Sequence, residues 1–412
     1  MIAQSPVLLF RAASDDTLTH VTATLFLLYS IVGPGLWVLF AISTFLGNLR
    51  MNRLRRPVER AVTLPRVSVL IPAKDEGERV RVCLDSVLAQ DYPNFDVIAV
   101  DDRSTDQTGA IMDEYQAQAA GKVRAIHVPQ GGLPAGWLGK CHALFTASKH
   151  ADGDWILFVD SDVKLAPDAL GGALALAVNR EYDALSLMTA LECYSFLERL
   201  VLPLAAASVT AMCLVSFTND DEVPIAFANG QFFLIRRSAY EAVHGHEAVK
   251  DHITEDVALM RILKRARFRT RLFMGRKFAS TRMHSTYRQM QSGWGRIYSG
   301  VSSRRPWRIL GAIGFALSGL LVYPGILVGV VRATSYHDPG WIIAAAVQLA
   351  VMTAVIATFY HWSGNGKRYA LLFPLAGPIL ISLYGYALKM CWTGNVAWRG
   401  TSYTYHATPA SK

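Results

Sequence analysis

The pattern of hydrophobic and polar positions changes character along the chain. Val21–Gly47 holds no charged residue; as a helix it would measure roughly 40 Å at 1.5 Å per residue. That is enough to cross a bilayer with tilt. Gly33-Pro34-Gly35 predicts a kink, which membrane helices tolerate. A secretory leader is disfavoured, because the apolar core is too long and no basic segment stands directly before it. Beyond Arg66 the apolar runs shorten. VSVLIPA (67–73), FDVIAVDD (95–102), VRAIHV (123–128) and WILFVDSDV (155–163) read as buried strands. Between them Glu76–Gln90, Asp106–Ala120 and Leu138–His150 carry helical spacing. Strands alternating with helices predict a doubly wound, mostly parallel α/β sheet. Ala166–Asn179 and Ile253–Ala266 read as further helices, and ALSLM (184–188) and Ile225–Ile235 as further strands. Residues 1–20 carry no assignment, and Pro57–Pro65 reads as a linker.

Leu200–Phe217 is apolar and uncharged. Counted as a span, it would put the acidic motifs on either side of it on opposite faces of the membrane. The expectation is a helix in the interface or a shallow re-entrant hairpin, broken near Pro203, with a buried core helix as the plainer alternative. Ile309–Val331, Trp341–Tyr360 and Tyr369–Cys391 predict three C-terminal spans. Arg50, Arg53, Arg55 and Arg56 follow the first apolar run; Arg304, Arg305 and Arg308 precede the second, and Lys367 and Arg368 the last. Positive flanks mark the cytoplasmic side. The α/β region is therefore expected to face the cytoplasm from the inner membrane. Alternating passes would leave the tail outside, although VAWRGTSY (396–403) reads as a segment with a job at the catalytic face. The division expected is an anchor and basic flank (1–56), a catalytic domain (57–303) and a transmembrane region with tail (304–412).

Composition agrees with an anchored enzyme. The chain has 412 residues, 52% hydrophobic and 18% charged. It is too long for one typical core, too apolar for an ordinary soluble enzyme and too polar for an all-membrane transporter. The net charge of +9 matters less than its placement at the apolar runs, and no nucleic-acid partner is expected. The five cysteines form no C-x-x-C pair, which argues against a zinc framework or disulfide scaffold.

The candidate chemistry sits where strands end. Asp160 and Asp162 close the WILFVDSDV run; if the chain stays extended they face the same way, at the edge where open α/β sheets bind ligands. Two hard oxygen donors there suit Mg²⁺ or Mn²⁺ completed by substrate phosphate. Asp also builds turns and caps, so the triplet needs company. Pro72-Ala73-Lys74-Asp75-Glu76 ends the first strand and Asp101-Asp102-Arg103-Ser104-Thr105-Asp106 the second. Carboxylates there can meet a base or ribose hydroxyl, or can cap the next helix. Neither stretch has the glycines of a dinucleotide fingerprint. A Gly-rich loop (131–139) leads to Lys140, placed to meet phosphate at a helix start, but the P-loop spacing fails at Cys141. Thr254-Glu255-Asp256 opens a helix, where the dipole alone favours acids. His244, His246 and His252 lie nearby without zinc-site spacing. Asn229-Gly230-Gln231 and Trp294-x-Arg296 are weaker candidates.

As an ordered set, PAKDE, VDDRSTD, GK before a helix, DSD and TED resemble the family 2 glycosyltransferases of the GT-A fold, over residues 66–275. LPAGWLGK, NGQFFLIRRSAY, GHEAV…TED and WRGTSY resemble its membrane-bound branch around hopanoid-associated and carotenoid glycosyltransferases, and ceramide glucosyltransferase more distantly. The resemblance implies a GT-A sheet with one N-terminal and about three C-terminal transmembrane helices. It implies that Asp102 binds uracil and ribose with Pro72 and Glu76 at the pocket edge, that Asp160 contacts the ribose or diphosphate, and that Lys140 steadies the donor. Asp162 would hold a divalent metal (Mg²⁺ or Mn²⁺), Asp256 would be the general base and Glu255 its support. Asn229, Gln231, Trp294 and Arg296 would meet or gate the acceptor. The donor would be a nucleotide-diphospho-sugar, a UDP-sugar for preference, and the acceptor a membrane lipid. Processive relatives carry Q-x-x-R-W; here Gln291-Ser292-Gly293-Trp294-Gly295-Arg296 departs from it, which argues against polymerisation. A polyprenyl-phosphate glycosyltransferase, a polysaccharide synthase and a catalytically silent scaffold are the alternatives.

Overall fold

The computed structural model describes residues 20–56, 65–119, 121–398 and 401–404. Nearly all of the expected linker, and residues 1–19, lie outside the described residues. The anchor is a helix, α1 (His20–Arg50), with a π-helical turn at Ile31–Gly35 where Pro34 removes a backbone donor. The short strand β1 (Asn52–Arg53) follows. The α/β region then runs β2 (Val67–Ala73), α2 (Glu78–Leu88), β3 (Phe95–Asp101), α3 (Thr108–Gln118), β4 (Val123–His127), α4 (Gly139–Ser148) and β5 (Trp155–Phe158). These match the expected strands and helices to within a few residues at each end. Every residue of β2 is buried. Val67, Val69 and Ile71 join one apolar cluster and Leu70 the other, so both faces of the sheet are covered and the run reads as continuously apolar.

The chain continues through β6 (Val163–Leu165), α5 (Ala169–Asn179), β7 (Ala184–Met188), β8 (Ala190–Leu191) and α6 (Phe196–Met212). Next come β9 (Phe233–Arg236), α7 (Arg237–Ala242), α8 (Glu255–Arg265), β10 (Thr270–Met274), β11 (Ala279–Thr281) and α9 (Tyr287–Val301). The main sheet has the order β1-β10-β7-β9-β5-β2-β3-β4. It is parallel except for β9, which runs antiparallel to both β5 and β7. A second sheet, β6-β11-β8, stands beside it.

Two expectations change. The strand at 155 ends at Phe158, and Asp160–Val163 is a tight turn closed by Val163 N–H on Asp160 O at 3.1 Å. Asp160 and Asp162 therefore come together through a turn between two sheets, not by alternation along one strand. Of Ile225–Ile235, only Phe233–Ile235 lies in a strand.

α6 is neither broken at Pro203 nor a candidate span. Ser195 and Glu198 form a capping box at its start. Neighbours hold its carbonyls: Tyr360 Oη donates to Leu200 O at 2.6 Å, Tyr298 Oη to Ala205 O at 3.1 Å, and Arg308 to Met212 O at 2.7 Å. Such partners stabilise turns that proline would weaken. Its residues Leu200–Ala205 and Val209 are buried, and Ala206–Ser208 and Thr210–Met212 are half-buried.

Beyond α9 lie α10 (Pro306–Tyr336), α11 (Gly340–Ser363) and a 3₁₀ turn, Lys367–Leu372, leading into α12 (Phe373–Thr393). Four helices are long and apolar enough to cross a membrane: α1, α10, α11 and the Lys367–Thr393 unit. Strands β12 (Asn395–Trp398) and β13 (Thr401–Thr404) pair as a hairpin. In the basic stretch 264–277, Lys264 is structural: its Nζ donates to Thr218 O, Asp220 O and Ile225 O at 2.7 Å each.

Candidate active site

At the carboxyl ends of β2, β3 and β5 a cavity of about 1150 Å³ opens toward α1, α6 and α9. Pro72, Glu76, Asp102, Lys140, Asp160, Asp162, Asn229, Gln231, Glu255, Asp256, Trp294 and Arg296 all line it. Every site residue expected from the sequence therefore meets the same space.

Lys140 stands at the centre. The first turn of α4 carries its ammonium to 2.6 Å from Asp160 Oδ1 and 2.7 Å from Glu255 Oε1. Burial works against that charge, but Asp160, Glu255 and Asp256 outweigh it and hold the ammonium well above the usual lysine range. One side chain thus joins the turn after β5 to the start of α8. Asp256, one residue on, accepts from Gly230 N–H at 2.6 Å and Val257 N–H at 2.8 Å. Burial and the adjacent Glu255 push its carboxyl up to about 7, against Lys140 and those two donors. Glycine at 230 leaves this contact uncrowded: a Cβ there would lie 3.2 Å from Lys140 Nζ and 3.3 Å from Asp256 Oδ2.

Asp162 is half-buried in the turn, and desolvation with Asp160 beside it pushes its carboxyl up to about 6. A carboxyl held this way gains from a cation, which would reverse the shift. No group of three or more His, Cys, Asp or Glu poised for a metal occurs among the described residues. The carboxylates of Asp162 and Asp160 are hard oxygen donors of the kind that Mg²⁺ and Mn²⁺ take, one or two at a time beside water and phosphate.

Asp102 is 1% exposed and paired with Arg103, at 2.8 and 3.1 Å. The next loop is tied back to the first: Asp75 N–H donates to Ser104 Oγ at 3.0 Å, and Thr105 N–H to Asp75 Oδ1 at 2.8 Å. Glu76 N–H donates to Thr108 Oγ1 at 2.9 Å. The two strand-end loops thus brace each other before any ligand arrives. On the opposite wall Asn229 Nδ2 donates to Gln231 Oε1 at 3.2 Å and Thr189 Oγ1 at 3.3 Å.

Sequence reasoning missed Arg79, His284 and the Gly230 amide, the first two also lining the cavity. Arg79 follows Glu76 by one helical turn, 3.8 Å from its carboxylate, a spacing that could have flagged it. His284 follows β11, which pairs with β6 at Thr281↔Val163 and so lies beside the Asp162 turn; nothing local in the sequence marks it.

The doubly wound, mostly parallel sheet with acidic loops gathered at its carboxyl edge is of the GT-A type, and it is joined to four apolar helices that are candidate spans. Residues 68–243 match the family described as Glycosyl transferase family 2, so the chain carries a family 2 domain and is a glycosyltransferase. The chain is similar to 4,4'-diaponeurosporenoate glycosyltransferase of Staphylococcus aureus, a carotenoid glycosyltransferase: 25% identity over 380 residues, covering 90% of this chain and 97% of that protein. Among solved structures it is similar to a mannosyltransferase from Pyrobaculum calidifontis in complex with GDP-Man and Mn²⁺, at 18% identity and a TM-score of 0.49, covering 89% of this chain and 98% of that one. S. aureus TarS 1-349 in complex with UDP-GlcNAc matches at 16% identity and a TM-score of 0.38, covering 84% and 98%. These two likenesses add nothing to the assignment.

Proposed function

We propose that the protein transfers a sugar, with inversion, from a nucleotide-diphospho-sugar to the hydroxyl of a membrane lipid, with the help of a divalent metal. The observation that carries this reading is the single cavity: the acidic set Asp102, Asp160, Asp162, Glu255 and Asp256 shares it with residues of α1, α6 and α9. A lipid could reach such a site without leaving the bilayer.

Asp102, with Pro72 and Glu76, is assigned to the nucleoside. Asp160 and Lys140 are assigned to the ribose and diphosphate. Asp162 would hold Mg²⁺ or Mn²⁺, which when bound offsets charge on the departing diphosphate. Asp256 takes the acceptor's proton as attack proceeds; a base poised near neutrality suits that task. Glu255 keeps Lys140 in place and raises the affinity of Asp256 for the proton. A base on one face and the leaving group on the other means direct displacement, hence inversion. Gln231, Asn229, Trp294 and Arg296 are assigned to the acceptor wall. A UDP-sugar donor is the preferred reading. The division into an anchor (1–56), a catalytic domain (57–303) and a membrane region (304–412), with the catalytic domain on the cytoplasmic face, rests on the arginines that flank the apolar helices.

The test is to reconstitute the protein in vesicles with a panel of radiolabelled nucleotide sugars and to weigh the lipid products. One sugar on a lipid hydroxyl is expected. Sugar on a polyprenyl phosphate, a polysaccharide ladder, or label in soluble sugars alone would overturn the reading.

A further inference from the structure

The catalytic residues occupy one end of the cavity; two facing helix stripes form the other. On α1 the lining residues are Phe40, Ser43, Thr44, Gly47, Asn48 and Met51. On α6 they include Pro203, Ala206, Ala207, Thr210 and Ala211, with Val209 beside them and the turn 214–217 after them. Each set recurs every three or four residues, the spacing of one helix face. From Phe40 to Met51 the α1 stripe is roughly 16 Å long at 1.5 Å per residue. Its middle is small or polar in an otherwise apolar anchor. The opposite face of α1 carries Leu39, Ile42, Phe45, Leu46 and Leu49, all exposed, as a bilayer-facing surface would be. The facing residues Ala206, Ala207 and Thr210 of α6 are only half-buried although the helix around them is packed. Trp294 closes the same space: it is 3% exposed, and its indole Nε1 has no hydrogen-bond partner among the described residues. A donor stranded there is what the oxygen of an incoming head group would meet. The volume, about 1150 Å³, exceeds the roughly 300–1,000 Å³ of a single small-molecule pocket, which leaves room for a donor and an acceptor together.

We propose that the slot between α1 and α6 is the acceptor channel, entered sideways from the bilayer by a lipid whose narrow apolar body lies along both helices with its hydroxyl at Asp256. This rests on the lipid-transfer reading above. Small side chains set the width, so the slot selects acceptors by their apolar body, while the carboxylate end is indifferent to it.

The test uses the full-length protein in vesicles with single cysteines, Thr44→Cys and Ala207→Cys in the slot and Ile42→Cys on the bilayer face. Each is treated with a benzyl methanethiosulfonate, and the treated wild type, with its own five cysteines, sets the background. Label transferred into the lipid phase and equilibrium binding of the nucleotide sugar are both read. Modified Thr44→Cys and Ala207→Cys should lose transfer at least about tenfold, keep donor binding, and recover when the adduct is reduced, which excludes unfolding. Ile42→Cys should be unaffected. Full modification of Thr44→Cys and Ala207→Cys with transfer unchanged, or equal loss at Ile42→Cys, overturns the channel. A wild type that labels no lipid at all overturns the functional reading itself, before any variant is made.

A separate set of contacts concerns the last apolar helix. Both of its ends touch elements of the catalytic side. At the start, the Tyr369 ring lies 6.0 Å from Phe196 and 5.9 Å from Tyr360, whose hydroxyl reaches Leu200 on α6. Phe373 then reaches Trp37 and Gly319, well inside the helix layer. From there α12 climbs along α9: Ser382 Oγ is 2.8 Å from Tyr287 Oη, Tyr386 lies against Gly295, and Cys391 Sγ is 3.6 Å from Ser299 Oγ. We infer that Lys367–Thr393 enters and leaves the membrane on the catalytic side, which brings the β12–β13 hairpin back to that face. An impermeant thiol reagent applied to sealed vesicles tests this. Trp392→Cys should label with the same sidedness as Glu181→Cys in the α/β region and opposite to His337→Cys between α10 and α11. Labelling of Trp392→Cys together with His337→Cys would overturn it.

Discussion

The two ends of the cavity are built on opposite plans. At the carboxylate end the polar groups are held by each other: Lys140 bridges Asp160 and Glu255, Asp256 takes two backbone amides, and the loops at Asp75 and Ser104 are cross-tied. At the other end small side chains on α1 and α6 face one another across open space. The first end is preorganised, so that little has to reorganise when charge develops. The second provides shape without directed contacts, as expected for an apolar ligand whose affinity comes from area removed from water. On the proposed reading, charge is handled by fixed geometry and the lipid by width. The two functions should come apart under mutation.

On the donor side the largest effect is expected at Asp162. Asp162→Ala should lower transfer by on the order of 10²–10³-fold, as loss of one preorganised electrostatic partner does, and should abolish the metal dependence of donor binding. Chelation of the wild type should mimic it. Titration of donor with and without Mn²⁺ checks both; binding that remains metal-dependent in the variant would move the metal elsewhere.

Lys140→Met comes next. It strands Asp160 and Glu255 without their shared cation and should weaken donor binding. Because Lys140 lowers the proton affinity of Asp256, its removal should also shift the pH profile of transfer toward higher pH. In the wild type the base must be ionised to act. With its carboxyl raised to about 7, kcat/KM should climb as pH rises through that value, level off above it, and fall away below it. A rate flat from pH 5.5 to 8.5 would contradict this assignment.

The smallest effect is expected at Gly230→Ala. The new Cβ would press on Lys140 Nζ and Asp256 Oδ2 from just over 3 Å, forcing shifts of tenths of an ångström. A whole ångström can cost about 10²-fold, so a loss of about tenfold or less is expected, in kcat rather than in lipid KM. A change confined to lipid KM would place Gly230 on the acceptor side instead.

Much of the carboxylate end was legible because its signals are local. A buried strand followed at once by acids, as at Val67–Glu76 and Phe95–Asp106, states both the element and where its ligand-facing end lies. The DSD geometry was not legible: whether the chain stays extended past Phe158 depends on β11 arriving from more than a hundred residues away to pair with β6. Strands of two or three residues such as β6, β8 and β11 carry too little pattern to be read alone. His284 was invisible for the same reason. At the apolar end composition gave the helices but not their neighbours. Pro203 suggested a break, yet the helix runs on through it, with Tyr360 of α11 holding the nearby Leu200 carbonyl and Tyr298 of α9 that of Ala205. The stripes on α1 and α6 were present in the sequence, but nothing there told that they face each other.

The most direct measurement is made on Asp256→Asn in vesicles, with donor binding and transfer to lipid read on the same preparation. Asn keeps the shape, and its one Oδ1 can accept from either the Gly230 or the Val257 amide, which reach different oxygens of Asp256, but it cannot take a proton. Donor affinity within about twofold of wild type, with transfer lowered by about 10²–10⁴-fold, is the expected result. Transfer at the wild-type rate would contradict the account, and so would a loss of donor binding that accounts for the whole defect.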